Sequence, residues 1–289
     1  MDYPISVPSI GLVGGKFADE DPLAGTPGSL IPAQWGNAVT DEIRQVIIGA
    51  GITPDELNNT QLLAAIKAVV TQSGVSPGRL IGVRFISAST TYIPTPGMAS
   101  IVARLLGGGG GGGGAPVTAA GNVGVGSGGH AGAYAEGRYT AAQVGASQTA
   151  TVGSGGAGST GTGGTGGATS LGVLLVAGGG IGGGAAGPAV PPITNGNGGS
   201  PATSSGGYLN GTGQIAQLGV AFTIAAGFSG AGASTAFGTG GGAVNSTSNG
   251  QIASGYGAGG SGAYASQSNA SARVGGSGTS GFLIIYEYA

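Results

Sequence analysis

Eight consecutive glycines, Gly107–Gly114, follow directly on the strand-like run Ala99-Ser100-Ile101-Val102-Ala103-Arg104-Leu105-Leu106. A stretch with no Cβ atoms makes a poor helix and a poor ordinary strand, because glycine loses the most conformational freedom on ordering and offers no side chain to pack. Two readings remain for 107–114 and for the similar stretch 153–167. One is a flexible loop. The other is a set of polyproline-II-like strands that approach one another too closely for any side chain and bond laterally through their backbones.

The rest of the chain repeats this alternation. Short apolar strands are expected at 133–144, 148–152, 171–177, 218–225 and 281–288, separated by glycine, serine and threonine connections. Of the 70 glycines, 59 fall after residue 85, whereas 13 of the 18 charged side chains fall at or before it. Such a shift in composition places a boundary near residue 80, between an N-terminal region 1–79 and a glycine-rich region 80–289. Glycine-rich chains are often disordered, but Leu171-Gly172-Val173-Leu174-Leu175-Val176-Ala177 and Phe282-Leu283-Ile284-Ile285-Tyr286-Glu287-Tyr288 would be aggregation hazards unless they were packed. Order is therefore expected. The fold class is mainly β, a glycine-rich β-sandwich-like domain with a small N-terminal helical region.

Several functions are disfavoured by composition. A net charge of −2 with two lysines does not track a phosphate backbone, so no nucleic acid is expected. The absence of cysteine removes disulfides and thiolate chemistry. Residues 171–190 are uncharged but contain eight glycines, too little hydrocarbon for membrane insertion. The first residues lack a basic and apolar leader, so synthesis without a signal peptide is expected.

Residues 1–31 read as extended and turn-rich, with Pro4, Pro8, Pro22, Pro27 and Pro32 each denying helix to the residue before it. Asp19-Glu20-Asp21 reads as a solvated loop. A helix then begins at Pro32 and carries Trp35, Val39, Ile43, Val46 and Ile47 at three- and four-residue spacing, ending at Gly49 and Gly51. A second is capped by Thr60, carries Leu62, Leu63, Ile66, Val69 and Val70, and ends at Gly74 and Pro77. Two such helices cannot enclose a core alone. Copies of themselves are the nearest available neighbours.

The segments Asp21-Pro22, Gly25-Thr26-Pro27-Gly28, Ile31-Pro32-Ala33-Gln34-Trp35-Gly36-Asn37, Asp41-Glu42-Ile43, Val46-Ile47, Ala50-Gly51-Ile52 and Thr60-Gln61-Leu62-Leu63-Ala64-Ala65-Ile66 together resemble the N-terminal region of tailed-bacteriophage tail fibres. The passage from residues 80–105 into the glycine run, closing on Phe282–Tyr288 with its Glu287-Tyr288 ending, resembles the glycine-rich C-terminal domain of the same family. The resemblance implies a homotrimer located in the virion tail. Trp35, Ile43, Val46, Ile47, Leu62, Leu63 and Ile66 would serve attachment to other tail or baseplate proteins and trimerisation. The glycine-rich part would bind a bacterial surface receptor, whether glycan, pilus or outer-membrane protein.

Catalytic groups are scarce. His130, the single histidine, stands in what reads as a loop, and three copies about a threefold axis are the one arrangement by which it could meet a metal. No metal and no cofactor are expected. Glu136 and Glu287 are the only carboxylates after residue 56. A depolymerase would need two such groups at a set separation, and Glu136 reads instead as a same-face ion pair with Arg138. The many G-x-G-x-x-G matches lack the lysine or ribose-binding acid that would make them phosphate loops. Tyr208, Phe228, Phe237 and Tyr256 stand among Gly, Ser, Thr and Asn, the composition of adaptable recognition loops with rigid aromatic anchors. They are the candidate receptor-binding residues. A purely structural glycine-rich virion protein remains the third reading.

Overall fold

The computed structural model describes residue 5 and residues 10–25, 27–72, 78–196 and 199–289. Pro4, Pro8, Thr26, Gly74 and Pro77 lie outside the described residues. The chain divides into two compact units, Met1–Pro77 and Gly78–Ala289.

In the first unit, helix α1 spans Ala33–Gly49 and α2 spans Gln61–Gln72. Pro32 stands at the cap rather than inside the helix, with φ −64° and ψ 139°. The chain leaves α1 through Gly51, whose φ of +74° is a left-handed conformation that glycine adopts without penalty. Thr60 does not cap as its position suggests: its hydroxyl donates to Asn58 Oδ1 at 2.7 Å. The buried Gln61 closes the interhelical turn instead, accepting from the Asp55 amide at 2.8 Å and donating to the Thr53 carbonyl at 2.7 Å. The two helices meet through Ile47, Ala50 and Ala65. Small residues at the contact bring the helices close, and most of the large apolar stripe stays outside it.

The second unit is mainly β. Its strands in chain order are β1 (Leu80–Ile86), β2 (Thr90–Tyr92), β3 (Ser100–Leu106), β4 (Val123–Gly126), β5 (Tyr134–Thr140), β6 (Gln148–Thr151), β7 (Thr169–Leu171), β8 (Leu175–Ala177), β9 (Ala185–Ala189), β10 (Ile193–Asn195), β11 (Ser204–Ser205), β12 (Leu209–Asn210), β13 (Gly219–Ala221), β14 (Gly227–Phe228), β15 (Tyr264–Ala265) and β16 (Phe282–Tyr288). Two antiparallel sheets, β1-β16-β3-β5-β12 and β11-β8-β7-β6-β2, face each other as a sandwich. Alternation along β3, β5 and β16 sends Ile101, Ala103, Leu105, Ala135, Tyr139, Leu283 and Ile285 into its core. The run 171–177 is two strands rather than one, broken at Gly172 (φ +52°). Likewise 133–144 ends in a short helix, α3 (Ala141–Val144), started by a Thr140–Gln143 capping box.

Beyond the sandwich, the glycine runs form a packed bundle of threefold extended helices. Gly107, Gly110 and Gly113 donate their amides to the carbonyls of Ala133, His130 and Ser127. Gly108, Gly111 and Gly114 donate to Gly167, Gly164 and Gly161, and Gly109, Gly112 and Ala115 to Thr279, Gly276 and Arg273. One direction is thus repeated every third residue, the signature of a polyproline-II conformation that has no internal bonds and offers all of them to neighbours. Three further segments donate back, Gly156 to Gly109, Gly180 and Gly183 to Gly108 and Gly111, and Gly260 and Ala263 to Gly110 and Gly113. The central glycine segment is therefore surrounded on every side. All amides from Gly107 to Gly114 are buried and paired at 2.7–3.0 Å, as burial of backbone polar groups requires. A methyl group on any of these eight glycines would fall well inside 3.0 Å of a neighbouring backbone carbonyl. The flexible-loop reading of 107–114 and 153–167 is thereby replaced by close backbone packing.

At the far end of the bundle, two three-stranded sheets, β15-β4-β9 and β10-β13-β14, enclose a small core of Val123, Val125, Ala221 and Tyr264. The sequence Gly-Ala-Tyr-Ala occurs at both 132–135 and 262–265, and the two copies play matching parts at opposite ends of the bundle, each carrying a bundle segment into a strand with its tyrosine at the transition. From the outer end of β3 to the far end of the bundle, seven strand residues and nine extended-helix residues span roughly 50 Å at about 3.4 and 3.1 Å each.

Candidate functional site

The two late carboxylates, Glu287 on β16 and Glu136 on β5, lie on opposite faces of the first sheet. Glu287 points inward and is fully buried. It accepts from Tyr92 Oη at 2.8 Å, the Thr95 amide at 3.0 Å and Thr95 Oγ1 at 2.6 Å, with Arg84 Nε 3.8 Å away. Burial by itself would raise its pKa, but these donors outweigh it and hold the carboxyl below its ordinary value. Gly82 is required opposite, since a side chain there would run into the carboxylate. The group is a latch that ties the Thr95 loop to the sandwich.

Glu136 faces outward from the same sheet, so within one chain the two carboxylates do not flank a common bond. Its partner is Arg104 across the strand pair, with Nε 3.3 Å from Oε2, and not Arg138 on its own strand. Cross-strand neighbours lie closer than residues two apart along one strand. Tyr134 donates to Glu136 at 3.1 Å and the Tyr208 hydroxyl makes a second, short bond to it. Burial, opposed by these donors, leaves the Glu136 pKa lowered, while burial and the adjacent carboxylate push Tyr134 and Tyr208 up to about 12. Arg104 also lies over the Tyr286 ring, 5.2 Å from its centroid.

His130 is not in a loop. It belongs to the bundle segment 127–133 and is fully buried, with the Ser200 backbone as a weak polar neighbour of its ring. In this segment Gly126, Gly129 and Gly132 face the central glycines. The next row is Ser127, His130 and Ala133, and the remaining row is Gly128 and Ala131. Burial lowers the imidazole pKa. Enclosure within its own chain rules out the shared axial site considered for it.

The four aromatic candidates do not form one site. Phe228 lies at the far end, edge-on to Phe222 at 5.9 Å. Tyr208 leans on Glu136. Phe237 and Tyr256 join Phe85, Tyr134 and Phe282 in a cluster across the outer face of the first sheet: Phe237 is 5.0 Å from Phe282, Tyr256 5.5 Å from Phe282, and Phe85 5.9 Å from both Tyr256 and Phe282. These rings come from opposite ends of the glycine-rich unit, a convergence with no signal in local sequence.

Phe237 borders a groove of about 390 Å³ at the junction of sandwich and bundle. Its lining is Leu106, Ala131, Gly132, Tyr134, Thr212, Gln214 and the turn Ser234–Phe237. The Phe237 ring stacks on Tyr134 at 6.1 Å, and the residue is 46% exposed. Its turn is fixed by Thr235, whose hydroxyl donates to the Tyr256 carbonyl at 2.7 Å and accepts from the Phe237 amide at 3.1 Å. Thr212 and Gln214 carried no signal in sequence, since each stands alone within a glycine-rich stretch.

In the helical unit, Trp35 packs edge-on against Phe17 at 5.0 Å. Of the remaining stripe residues only Ile47 is buried, whereas Ile43, Val46, Leu62, Leu63 and Ile66 are exposed by 37–58%. Ile43, Ile47 and Leu62 line an open hollow of about 560 Å³ rimmed by Arg44, Asp55 and Glu56. Among the described residues no cluster of metal-ligating side chains occurs, and no helix is long and apolar enough to cross a membrane.

Comparison with curated protein sequences gives no match. The family model of the glycine-rich domain matches residues 86–288, which takes in the sandwich, the bundle and the far-end sheets, and the chain belongs to that glycine-rich domain family.

Proposed function

We propose that this chain is a tailed-bacteriophage tail fibre that attaches the virion to the host surface by non-catalytic receptor binding, working as a homotrimer. The observation that carries the reading is polarity. The chain enters the glycine-rich unit at Gly78, whose amide donates to the Ala289 carbonyl beyond the outer end of β16, and the far-end loops lie roughly 50 Å away along β3 and the bundle. A rigid spacer between an attachment end and displayed loops is what a fibre tip needs. The exposed stripe Ile43, Val46, Leu62, Leu63 and Ile66 supports assembly, because an apolar patch of this kind is costly in water until a partner covers it. The near-absence of charge in the glycine-rich unit suits avid recognition, in which several weak sites on one particle give long residence.

The test is adsorption. Purified chain that binds bacterial cells and blocks phage adsorption, without shortening surface polysaccharide, supports the proposal. Shortened polysaccharide would move the reading to a depolymerase. Light scattering on the full chain and on one beginning near residue 78 reads the assembly state, and a monomer in both would remove the fibre interpretation.

A further inference from the structure

We infer that the groove beside Phe237 is a carbohydrate subsite that takes one neutral hexopyranose, its C–H face stacked on the Phe237 ring and its hydroxyls met by Thr212 and Gln214. The inference rests on the receptor-binding reading above and adds to its far-end loops a second site, at the junction of sandwich and bundle, with a stated ligand chemistry. Three observations carry it. The groove, about 390 Å³, has the size of small-ligand sites and no charged residue in its lining, which suits a neutral sugar and gives nothing to a sialic or uronic acid carboxylate. The Phe237 ring is held by Tyr134 and Phe282 and its turn is pinned by Thr235, yet the residue remains nearly half exposed. A ring fixed in place before the ligand arrives costs little ordering on binding. Finally, the side chains of Thr212 and Gln214 are exposed and make no hydrogen bond among the described residues. An apolar occupant, such as a lipid chain or a leucine side chain, would strip water from these two groups without replacing its hydrogen bonds. A pyranose presents an apolar face and a hydroxyl rim at once.

Glu136 acts here as a positioning residue. Its bond to the Tyr134 hydroxyl sets the ring against which Phe237 stacks, and its carboxylate stays outside the groove lining.

The experiment is saturation-transfer NMR on the full chain with the methyl glycosides of glucose, galactose and mannose, and with sialic acid as the anionic comparison. At least one hexoside should receive transfer, strongest at the ring protons of a single face, and sialic acid should receive none. Gln214→Ala should weaken binding severalfold and Phe237→Ala about tenfold or more. Phe237 is part of a packed cluster, so circular dichroism checks the fold of that variant, and the exposed Gln214→Ala and Thr212→Val variants keep the test independent of it. Transfer that persists unchanged in Gln214→Ala and Thr212→Val overturns the inference. So does the absence of transfer to every hexoside from a chain that still binds bacterial cells, and in that case receptor binding stands while the groove loses its assignment. Hexoside transfer abolished by the variants in a chain that binds no cells keeps the groove and removes the receptor reading.

Discussion

Replacing Gly112 by alanine tests the bundle at its centre. The added methyl would sit well inside 3.0 Å of the Ser261 carbonyl oxygen, whereas ordinary contact begins at 3.4 Å. The segment that contains Ser261 would have to recede by more than an ångström. That segment is held to the central one by the Gly260 amide on the Gly110 carbonyl at 3.0 Å and the Ala263 amide on the Gly113 carbonyl at 2.9 Å. Both bonds stretch past useful length, in a place where no water substitutes for them. Overpacking costs about 1–3 kcal/mol and each buried group left unpaired about 1–3 kcal/mol. The smaller entropy of an unfolded alanine chain returns about 0.4–1 kcal/mol. With one group counted per broken bond, the net loss is about 2–9 kcal/mol, a large share of the roughly 5–15 kcal/mol that holds a domain together. Gly242→Ala is the control, since Gly242 is exposed and a methyl there meets nothing within 4 Å. It should be neutral or slightly stabilising. Guanidinium unfolding followed by near-ultraviolet circular dichroism of the tyrosines reports the glycine-rich unit, because eight of the nine tyrosines lie in it and the single tryptophan, Trp35, lies in the other unit. Equal midpoints for the two variants would refute close backbone packing of the glycine run.

Glu287→Ala leaves Tyr92 Oη and the Thr95 amide without their acceptor and should cost about 2–4 kcal/mol, read as a lower denaturation midpoint, with Glu287→Gln costing less. The lowered pKa values of His130 and Glu287 give the sign of the pH dependence: each contribution is complete above the unfolded-state value and is lost as pH falls through the folded one. Thermal midpoints should therefore begin to decline below about pH 6.5, the ordinary histidine value, and fall further below about 4.5; His130→Asn should flatten the first decline and leave the second. Leu63→Glu, at a position 58% exposed, should convert an oligomer to monomer in light scattering without altering near-ultraviolet dichroism of the glycine-rich unit, whereas unchanged mass would remove that stripe from the interface.

The parts of this structure legible in sequence are those governed by short-range periodicity. The apolar run Phe282–Tyr288 gave the closing strand, and the three- and four-residue spacing of Ile43, Val46 and Ile47 gave the first helix. The alternatives for the eight glycines were also readable, because only two conformations suit such a run. Their choice was not, since it depends on six neighbouring segments drawn from positions as distant as 127 and 279, and glycine carries no pattern by which such segments identify one another. The same reason hid the Glu136–Arg104 pair, which exists only through strand register. Phe237 was legible as an isolated aromatic in a polar stretch, but its groove was not: Tyr134 and Gln214 reach it through the fold. The capping error at Thr60 arose locally, because Asn58 competes for the hydroxyl.

The three-way rotation of amide directions along Gly107–Ala115 makes the bundle a phased object. Adding or removing one residue within a segment would turn every later residue by a third of a revolution, handing its amide to a different neighbouring segment and turning any side chain it carries onto another face of the bundle. Only steps of three restore phase, each adding about 9 Å, and the surrounding segments must lengthen together to supply new acceptors. Insertions in the connecting loops carry no such constraint. A chain built this way resists gradual change in its shaft, while its loops are free to vary in length and composition.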